Sequence, residues 1–328
     1  MPALLEIKNL KTQFSTQGRL IRAVDGVSYD IQEGETLAVV GESGCGKSVT
    51  ALSIMGLIPY PPGRIVDGEI LFQGKDLLKM SPEQMRKIRG KEISMIFQEP
   101  MTSLNPVLTI ERQLTETMEA HMDMEKEDVL KRALEVMDWV GISDPERRLS
   151  QYPHHFSGGM RQRVMIAMAL ACNPKLILAD EPTTALDVTI QAQILALMKD
   201  LSTRFGVAMI LITHNLGIVA RYADRVNVMY AAQIIEKGTA KDVYARPVHP
   251  YTLGLLKSVP RLDETRKSKL EPIEGQPPDL GALNIGCRFR DRCFLAEEKC
   301  AEEDMPLVQV NKTQWSACWK YKHLRKAS

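Results

Sequence analysis

The sequence predicts an α/β fold, because three patterns combine apolar strand segments with helical ones. The glycine-rich run Gly41–Ser48 lies between the apolar segment Glu35–Val40, typical of a buried strand, and Ser48–Leu57, typical of a helix. A second apolar segment, Leu176–Ala179, ends in two acidic residues, which places those acids at the ligand-binding edge of a parallel sheet. Residues 99–165 instead carry a helical pattern, so we expect a helical segment inserted into an α/β core.

The run Gly41–Ser48 fits the pattern G-x-x-x-x-G-K-[ST]. Its glycines allow the backbone to wrap phosphate oxygens with N–H donors, its lysine reaches the terminal phosphates, and its last hydroxyl meets Mg²⁺. The strand before it and the helix after it, whose N-terminal dipole faces the anion, favour a nucleotide site over a chance match. The predicted nucleotide-binding residues are Gly41, Glu42, Ser43, Gly44, Cys45, Gly46, Lys47, Ser48 and Val49.

Helix signals recur further along the chain. Ser81–Gln84 predicts a helix start, with a capping serine, a proline at the first helical position and a glutamine that closes a capping box. An apolar face between Ile190 and Phe205 predicts another helix, which Gly206 ends. Within 99–165 an apolar stripe recurs at helix spacing. Its members are Val129, Ala133, Val136, Met137 and Val140.

Asp180 and Glu181 follow the apolar strand Leu176–Ala179. A strand end of this kind brings both carboxylates to the edge of a parallel sheet where ligands bind. We expect Asp180 to bind Mg²⁺ and Glu181 to act on the attacking water. Two solvated acids before the turn at Pro182 are the plain structural alternative, and the other motifs disfavour it.

The run Phe156–Arg163 reads FSGGMRQR and stands shortly before that strand. Together with the two motifs above, it resembles the signature of ATP-binding-cassette ATPases. In that family a serine and two glycines that open a helix form a second anion cradle for the partner subunit's ATP, so the resemblance implies shared active sites. Phe156 and Met160 replace the consensus Leu and Gln without removing the cradle donors. The cradle residues are Ser157, Gly158 and Gly159.

The resemblance assigns roles to further residues, one at a time. Gln98 resembles the glutamine that reaches Mg²⁺ and water and links the ATP site to the membrane subunits. Asp187 resembles the aspartate that crosses the dimer interface, and His214 resembles the histidine that contacts the γ-phosphate. Asn215 stands where an aspartate is usual. The implied Mg²⁺ ligands are Ser48, Gln98 and Asp180, and the implied catalytic residues are Glu181, His214 and Gln98.

An aromatic ring that stacks on adenine is also expected. Phe14 is the first candidate and Tyr29 is its rival. Stacking of a base on an aromatic side chain contributes about 1–3 kcal/mol. The structural alternative makes Phe14 a core residue at a strand edge.

The 328 residues exceed one average domain. We expect an ATPase domain at 1–240 with a helical subdomain at about 99–165, followed by a C-terminal extension at 241–328. His249–Thr252 in that extension resembles the C-terminal region of oligopeptide and dipeptide importer ATPases. The proline- and glycine-containing stretch at about 262–282 is predicted to be a linker.

Charge and hydrophobicity limit which partners the protein binds and where in the cell it acts. The net charge is +1, and Lys and Arg are interspersed with acids, which disfavours a nucleic-acid partner. The longest apolar run, Val164–Cys172, is shorter than a membrane-spanning helix, and the N-terminus has no signal-peptide pattern. We expect a peripheral protein on the cytoplasmic face of the cell membrane.

Four of the six cysteines fall in the last 42 residues, where an even distribution predicts fewer than one. Disulfides are rare in a reducing cytosol, so metal ligation is the leading explanation. The spacing C-x5-C-x6-C-x17-C differs from common zinc and ferredoxin patterns. The family resemblance implies a 4Fe-4S cluster, with zinc and free thiols as alternatives. The four residues are Cys287, Cys293, Cys300 and Cys318.

These patterns predict the ATP-hydrolysing subunit of a peptide importer that uses ATP and Mg²⁺. The resemblance implies a second ATPase subunit, identical or related, two transmembrane permease subunits and an extracytoplasmic solute-binding protein. Nickel, glutathione or another small solute is an alternative cargo. A soluble ATPase of DNA repair or translation is disfavoured because no basic groove, long coiled coil or second cassette is visible. A non-catalytic redox-sensing subunit is disfavoured by Glu181 and His214.

Overall fold

The computed structural model describes residues 2–16, 18–184, 186–258 and 272–327. Its chain divides into two compact units. Unit 1 contains Ile31–Thr36 and Lys79–Ile212, together with the start of the chain up to Ala3. Unit 2 contains Leu4–Asp30, Leu37–Leu78 and the chain from Thr213 onward.

The strands of the described residues follow in chain order. They are β1 (Leu5–Thr16), β2 (Arg19–Ile31), β3 (Thr36–Val40), β4 (Gly63–Phe72), β5 (Lys75–Asp76), β6 (Ile93–Ile96), β7 (Leu176–Asp180), β8 (Ala208–Thr213), β9 (Arg225–Tyr230), β10 (Gln233–Thr239), β11 (Val308–Gln309) and β12 (Gln314–Ser316).

The helices of the same residues are mostly short. They are α1 (Lys47–Ile54), α2 (Pro82–Ile88), α3 (Pro100–Ser103), α4 (Ile110–His121), α5 (Lys126–Trp139), α6 (Pro145–Leu149), α7 (Gly158–Leu170), α8 (Val188–Phe205), α9 (Leu216–Tyr222), α10 (Ala240–Ala245), α11 (Pro250–Lys257), α12 (Lys299–Glu302) and α13 (Tyr321–Ala327). None of these described helices combines the length and apolarity that a bilayer crossing requires.

Unit 1 is built around parallel strands. β7 pairs with β6 on one side and with β8 on the other, and both ladders are parallel. The residues of β7 and β8 are all buried, as expected for strands covered on both faces. Between β6 and β7 the described chain forms α3 to α7, in the region where the sequence predicts helices. The stripe predicted on α5 is buried, which confirms that pattern.

The residues predicted to begin and end helices in unit 1 do so. Ser81 accepts a hydrogen bond from the Gln84 backbone, and the Gln84 side chain accepts one from the Ser81 backbone, so the capping box is confirmed. Helix α8 ends at Gly206, whose φ of 65° is left-handed. A glycine adopts this conformation without the steric cost that other residues meet.

Unit 2 contains an antiparallel sheet in the order β2-β1-β4-β5 and a second set of strands in the order β11-β12-β10-β9-β3. Its core packs β9 against helices α9 to α11 and includes Tyr230, Tyr251 and Phe289. Phe289, which lies between two cysteines of the C-terminal region, is only 2% exposed. The cysteine-containing region is therefore part of the core of unit 2.

The predicted linker at 262–282 lies outside the described residues up to 271. Its described part packs on unit 2. Ile273 and Leu280 lie against the core, and the Arg22 backbone N–H donates to the Leu280 carbonyl at 3.3 Å. Arg19 forms an ion pair with Asp279. Residues 272–282 are thus held in place by apolar and polar contacts, which their composition does not indicate.

Candidate active site

The phosphate loop of unit 2 joins β3 to α1, as the motif predicts. All five residues of β3 are buried, so the loop emerges from the interior of the sheet. Gly46 has φ 101°, and a Cβ atom there would lie 2.1 Å from the Ala23 carbonyl oxygen. Only glycine fits this position. Gly46 also precedes α1 without a side-chain cap, so the first N–H groups of the helix point toward the loop.

Lys47 is buried within this loop, with 4% of the residue exposed. Its Nζ donates to the carbonyl oxygens of Gly41 at 2.8 Å and Glu42 at 2.9 Å, and approaches Cys45 Sγ at 3.7 Å. Burial raises the pKa of the Cys45 thiol, so Cys45 is a neutral partner. The lysine charge is consequently concentrated at the loop, where phosphate oxygens bind in this motif.

In unit 1 the structure brings Gln98, Asp180 and Glu181 to one edge of the sheet. Ile96 of β6 pairs with Ala179 of β7, so the residues that follow each strand are neighbours. Gln98 Nε2 donates to Glu181 Oε2 at 3.1 Å, and Asp180 is 7% exposed. This cluster lies at the carboxyl ends of parallel strands, where open α/β sheets bind ligands.

The backbone at Glu181 is unusual. Its φ of 45° is left-handed, a conformation that costs a non-glycine residue of order 1–3 kcal/mol and is concentrated at functional sites. The Glu181 N–H donates to the Ile212 carbonyl at 2.9 Å, and Thr184 Oγ1 donates to Glu181 Oε2 at 2.8 Å. These bonds fix both the backbone and the carboxylate of Glu181.

The predicted signature residues also lie in unit 1, at the start of α7. Ser157 caps this helix by accepting from the Met160 N–H at 3.3 Å, and both Ser157 and Gly158 are exposed. A Cβ atom on Gly159 would lie 3.0 Å from the Ile190 side chain. Asp187 caps α8 by accepting from the Ile190 N–H at 3.0 Å. The signature and Asp187 are therefore neighbours.

The remaining predicted residues lie in unit 2. His214 is exposed on the turn before α9, and Asn215 next to it donates from its backbone N–H to Thr213 Oγ1 at 3.1 Å. Phe14 is half-buried on β1, opposite Gly63 of β4. Tyr29 is only 5% exposed. Of the two side chains that could stack on adenine, Phe14 is therefore the more accessible.

Comparison with known proteins shows which family this chain belongs to. Residues 24–184 match the ABC transporter family, and residues 235–300 match the C-terminal region of oligopeptide/dipeptide transporters. The oligopeptide transport ATP-binding protein OppD of Bacillus subtilis (strain 168) is 54% identical over 316 residues, which cover 96% of this chain and 88% of the relative. The chain belongs to the ABC transporter ATPases of the oligopeptide/dipeptide branch.

Further relatives agree with this membership. The dipeptide transport ATP-binding protein DppD of the same organism is 56% identical over 89% of this chain and 87% of its own length. Among solved structures, a dimeric post-hydrolysis state of the ATP-binding cassette MJ0796 bound to ADP and Pi has a TM-score of 0.65 at 28% identity. It covers 72% of this chain and 98% of that chain. The α/β ABC ATPase fold and the ATPase class are therefore established for this chain.

The four C-terminal cysteines line one cavity in unit 2. Cys287 N–H donates to the Cys300 carbonyl at 2.8 Å, while Cys293 Sγ and Cys318 Sγ accept backbone N–H groups at 3.4 and 3.3 Å. Burial raises the pKa of Cys293 to about 11 and that of Cys318 to about 12, which favours neutral thiols. Soft sulfur donors of this kind suit iron–sulfur or zinc ligation.

No group of three or more His, Cys, Asp or Glu side chains within the described ranges is close enough to hold a single metal ion. The four thiols therefore share a cavity without forming a compact single-ion site. In zinc sites four sulfurs surround one ion at about 2.3 Å. Four sulfur donors are the ligand set that an iron–sulfur cluster takes, but these side chains form no metal site among the described residues.

Two residues that contact the phosphate loop were missed by the sequence reasoning. Tyr251 OH accepts from the Glu42 N–H at 2.9 Å, and Arg292 donates to the Glu42 carboxylate. Tyr251 belongs to the run His249–Thr252, which indicated only a resemblance to oligopeptide and dipeptide importer ATPases. Arg292 belongs to no motif, and its position beside Cys293 is the only signal that could have drawn attention to it.

Proposed function

We propose that this chain hydrolyses ATP to drive the import of di- and oligopeptides through a membrane permease. The observation that carries the proposal is the carboxylate of Glu181, held by Gln98 and Thr184 at the ligand-binding edge of unit 1. A carboxylate fixed in this way can orient or deprotonate the attacking water. Peptide is the proposed cargo because relatives named for oligopeptide and dipeptide transport match almost the whole chain.

In the proposed ATP site, the phosphate loop and Lys47 hold the phosphates, and His214 contacts the γ-phosphate. Ser48, Gln98 and Asp180 are the proposed Mg²⁺ ligands, and their oxygen donors fit this cation. The ion neutralises charge on the phosphate oxygens when it is bound. Phe14 is the proposed stacking partner of adenine, supported by its exposure relative to Tyr29.

A second ATPase subunit, identical or related, is proposed to complete each site with Ser157, Gly158 and Gly159. The exposure of Ser157 and Gly158 supports this role, because a cradle that serves a partner has to be open. Asp187 is exposed beside the cradle, and the neighbouring Val188 is 81% exposed. An accessible valine at this place is consistent with burial in a dimer.

The described helices α3–α7 are proposed to form a subdomain that receives the permease on the cytoplasmic face of the membrane. Its docking loop is residues 99–106, which follow Gln98 directly and contain the one-turn helix α3. Apolar side chains flank this loop, with Phe97 41% and Val107 75% exposed. Movement of Gln98 with the loop then links ATP turnover to the permease, to which an extracytoplasmic solute-binding protein delivers the peptide.

The four cysteines at 287, 293, 300 and 318 are proposed to ligate one 4Fe-4S cluster. The bound cluster links separate turns of the C-terminal segment and so contributes to its folding. Protein purified without oxygen is expected to contain iron and sulfide and to be brown, and Cys300→Ser is expected to remove the colour. Stoichiometric zinc without iron or sulfide would overturn the cluster while keeping the four-thiolate site.

The function is tested in vesicles that contain the chain with its permease and solute-binding protein. Added oligopeptides are expected to stimulate ATP hydrolysis and to accumulate inside, while Glu181→Gln vesicles do neither. Stimulation by nickel or glutathione in place of peptides would reassign the cargo. ATP hydrolysis that no solute or permease alters would contradict a transport role.

A further inference from the structure

The side chain of Arg292 reaches to the phosphate loop from residues 287–318, the segment that carries the four cysteines and is called the cysteine segment below. It is 5% exposed, and its Nη1 and Nη2 donate to Glu42 Oε2 and Oε1 at 2.6 and 2.9 Å. Such bidentate pairing between a guanidinium and a carboxylate is strong and specific in geometry. Arg292 Nε also donates to the Glu274 carbonyl at 3.0 Å, so the arginine is held from the opposite side as well.

A second contact reaches the same loop residue. The Glu42 N–H donates to Tyr251 OH at 2.9 Å, and the Glu42 carbonyl accepts from Lys47 Nζ at 2.9 Å. The backbone and carboxylate of Glu42 are therefore fixed by three different side chains. Two of these side chains, Tyr251 and Arg292, come from the region after the ATPase motifs.

An aromatic cluster supports both contacts. The ring centroids of Tyr230 and Tyr251 are 4.6 Å apart, and those of Tyr251 and Phe289 are 5.4 Å apart. Phe289 and Arg292 lie on one tight turn, which Cys287 and Cys293 bracket in the sequence. The position of Arg292 is therefore tied to the fold of the cysteine segment.

Arg288 on the same turn adds a further link. It forms an ion pair with Asp25 and donates to the Ala231 carbonyl at 2.6 Å. The neighbouring Ala232 N–H donates to the Cys45 carbonyl of the phosphate loop at 3.0 Å. The predicted division into an ATPase domain at 1–240 and an extension at 241–328 does not indicate this contact. The segment is bonded directly to that loop.

We propose that Arg292 and Tyr251 are positioning residues of the phosphate loop, so that affinity for ATP depends on the folded cysteine segment. This inference rests on the proposed ATP site. A loop that is fixed before binding loses less conformational freedom when it takes up phosphate. Loss of the cysteine fold releases Arg292, and the loop then binds ATP more weakly even though every motif residue is intact.

The first test measures MgATP affinity of the full-length chain by calorimetry. Arg292→Ala is expected to raise the Kd about tenfold, since it leaves the half-buried Glu42 carboxylate unpaired. Arg290→Ala is the matched control, because Arg290 lies on the same turn but donates to the Ile285 carbonyl instead. Equal Kd values for the two variants would overturn the proposal.

Hydrogen exchange of the loop amides at 41–47, measured without nucleotide, gives a readout that is independent of ATP binding. Arg292→Ala and Tyr251→Phe are expected to speed this exchange relative to Arg290→Ala. Tyr251→Phe keeps the ring and removes only the acceptor of the Glu42 N–H, so it serves if Arg292→Ala does not fold. Unchanged exchange would overturn the positioning role. Failure of the native chain to bind ATP, with faster exchange in the variants, would instead overturn only the proposed function and the affinity claim.

A double-mutant cycle tests whether Cys293 affects ATP affinity through Arg292. Cys293→Ser is expected to raise the Kd in the native background and to add little in the Arg292→Ala background, because both changes remove the same contact. Additive effects of the two substitutions would show that the cysteine acts on ATP affinity by another route and would contradict the proposal.

Discussion

The catalytic cluster of unit 1 and the phosphate loop of unit 2 are held in place in different ways. Glu181 is fixed by two side chains. Gln98 follows the neighbouring strand β6, and Thr184 lies three residues after Glu181 in the chain. Tyr251 and Arg292, which fix Glu42, are 209 and 250 residues away from it in sequence. The catalytic cluster thus depends on the pairing of two neighbouring strands, whereas the phosphate loop depends on side chains from the C-terminal region.

The largest expected effect separates catalysis from binding. Glu181→Gln is expected to lower the rate of ATP hydrolysis at least about 100-fold, the scale of losing a group that acts in the transition state. Binding of ATP should persist, because the phosphate loop belongs to unit 2. Single-turnover hydrolysis and calorimetry measure the two properties. Glu83→Gln, an exposed acid of α2, is the control. Near-native turnover in Glu181→Gln would remove this residue from the mechanism.

The next change acts on the loop itself. Gly46→Ala places a Cβ atom 2.1 Å from the Ala23 carbonyl oxygen at φ 101°. We expect the free energy of unfolding to fall by about 3 kcal/mol or more, with loss of ATP binding. Gly44→Ala is the matched control, since Gly44 also has positive φ but no atom near the added Cβ, and about 1 kcal/mol is expected there. Denaturant unfolding that ranks the two variants equally would contradict the close approach at Gly46.

The support of the loop is expected to depend on pH. Burial raises the pKa of Glu236 to about 7, and its carboxylate accepts from the N–H groups of Val248 and His249, just before the helix that carries Tyr251. Between pH 4.5 and about 7 the folded chain binds a proton that the unfolded chain has released. The contribution of Glu236 to stability is therefore present below pH 4.5 and is lost as pH rises through about 7.

Glu236→Gln tests this dependence, because the amide cannot ionise. Thermal unfolding from pH 4.5 to 8 should show the native chain losing stability relative to the variant as pH rises. Burial lowers the pKa of His249 to about 3, so His249 has the opposite effect as pH falls below its ordinary value of 6.5. Both chains retain His249, so its contribution cancels in the difference. Parallel stability curves would contradict a raised pKa at Glu236.

The smallest effect is expected at the permease side of unit 1. Val107→Asp, at a side chain that is 75% exposed, should reduce peptide uptake several-fold while hydrolysis by the isolated chain stays near native. Changes within Met101–Asn105 should act in the same way. Leu130→Asp on α5, where the side chain is 42% exposed, is the control. Uptake and hydrolysis in reconstituted vesicles are compared. Equal loss of both activities would place the loop in the ATP site instead.

Sequence reasoning predicted the motif residues because their chemistry requires fixed residue types at fixed spacing. Gly46, Lys47, Asp180 and Glu181 lie at the strand ends and helix starts that their patterns indicate. Gln98 was predicted through the family resemblance, and its bond to Glu181 follows from the pairing of β6 with β7. The motif positions follow from local patterns, whereas the Gln98–Glu181 bond joins residues 83 apart in sequence and requires that β6 and β7 be neighbours.

The long-range contacts could not be predicted in this way. Arg292 is one of 42 Lys and Arg residues, and apart from its position beside Cys293 nothing in the sequence distinguishes an arginine that binds Glu42 from one that faces solvent. Ile273 and Leu280 stand among prolines and glycines that rule out a regular helix or strand pattern, so their surroundings indicated a linker. Both cases depend on which distant surfaces meet, and that information is not contained in a local window.

The central claim is that the cluster around Glu181 sets the rate of hydrolysis and the supported phosphate loop sets the affinity for ATP. Steady-state hydrolysis as a function of MgATP concentration tests this claim most directly. The chains compared are Arg292→Ala, which removes a side chain that supports the phosphate loop, and Gln98→Ala, which removes the side chain that donates to Glu181. We predict a raised KM with near-native kcat for Arg292→Ala, and a lowered kcat with near-native KM for Gln98→Ala. A lowered kcat in both variants, with no change in KM for Arg292→Ala, would contradict the account.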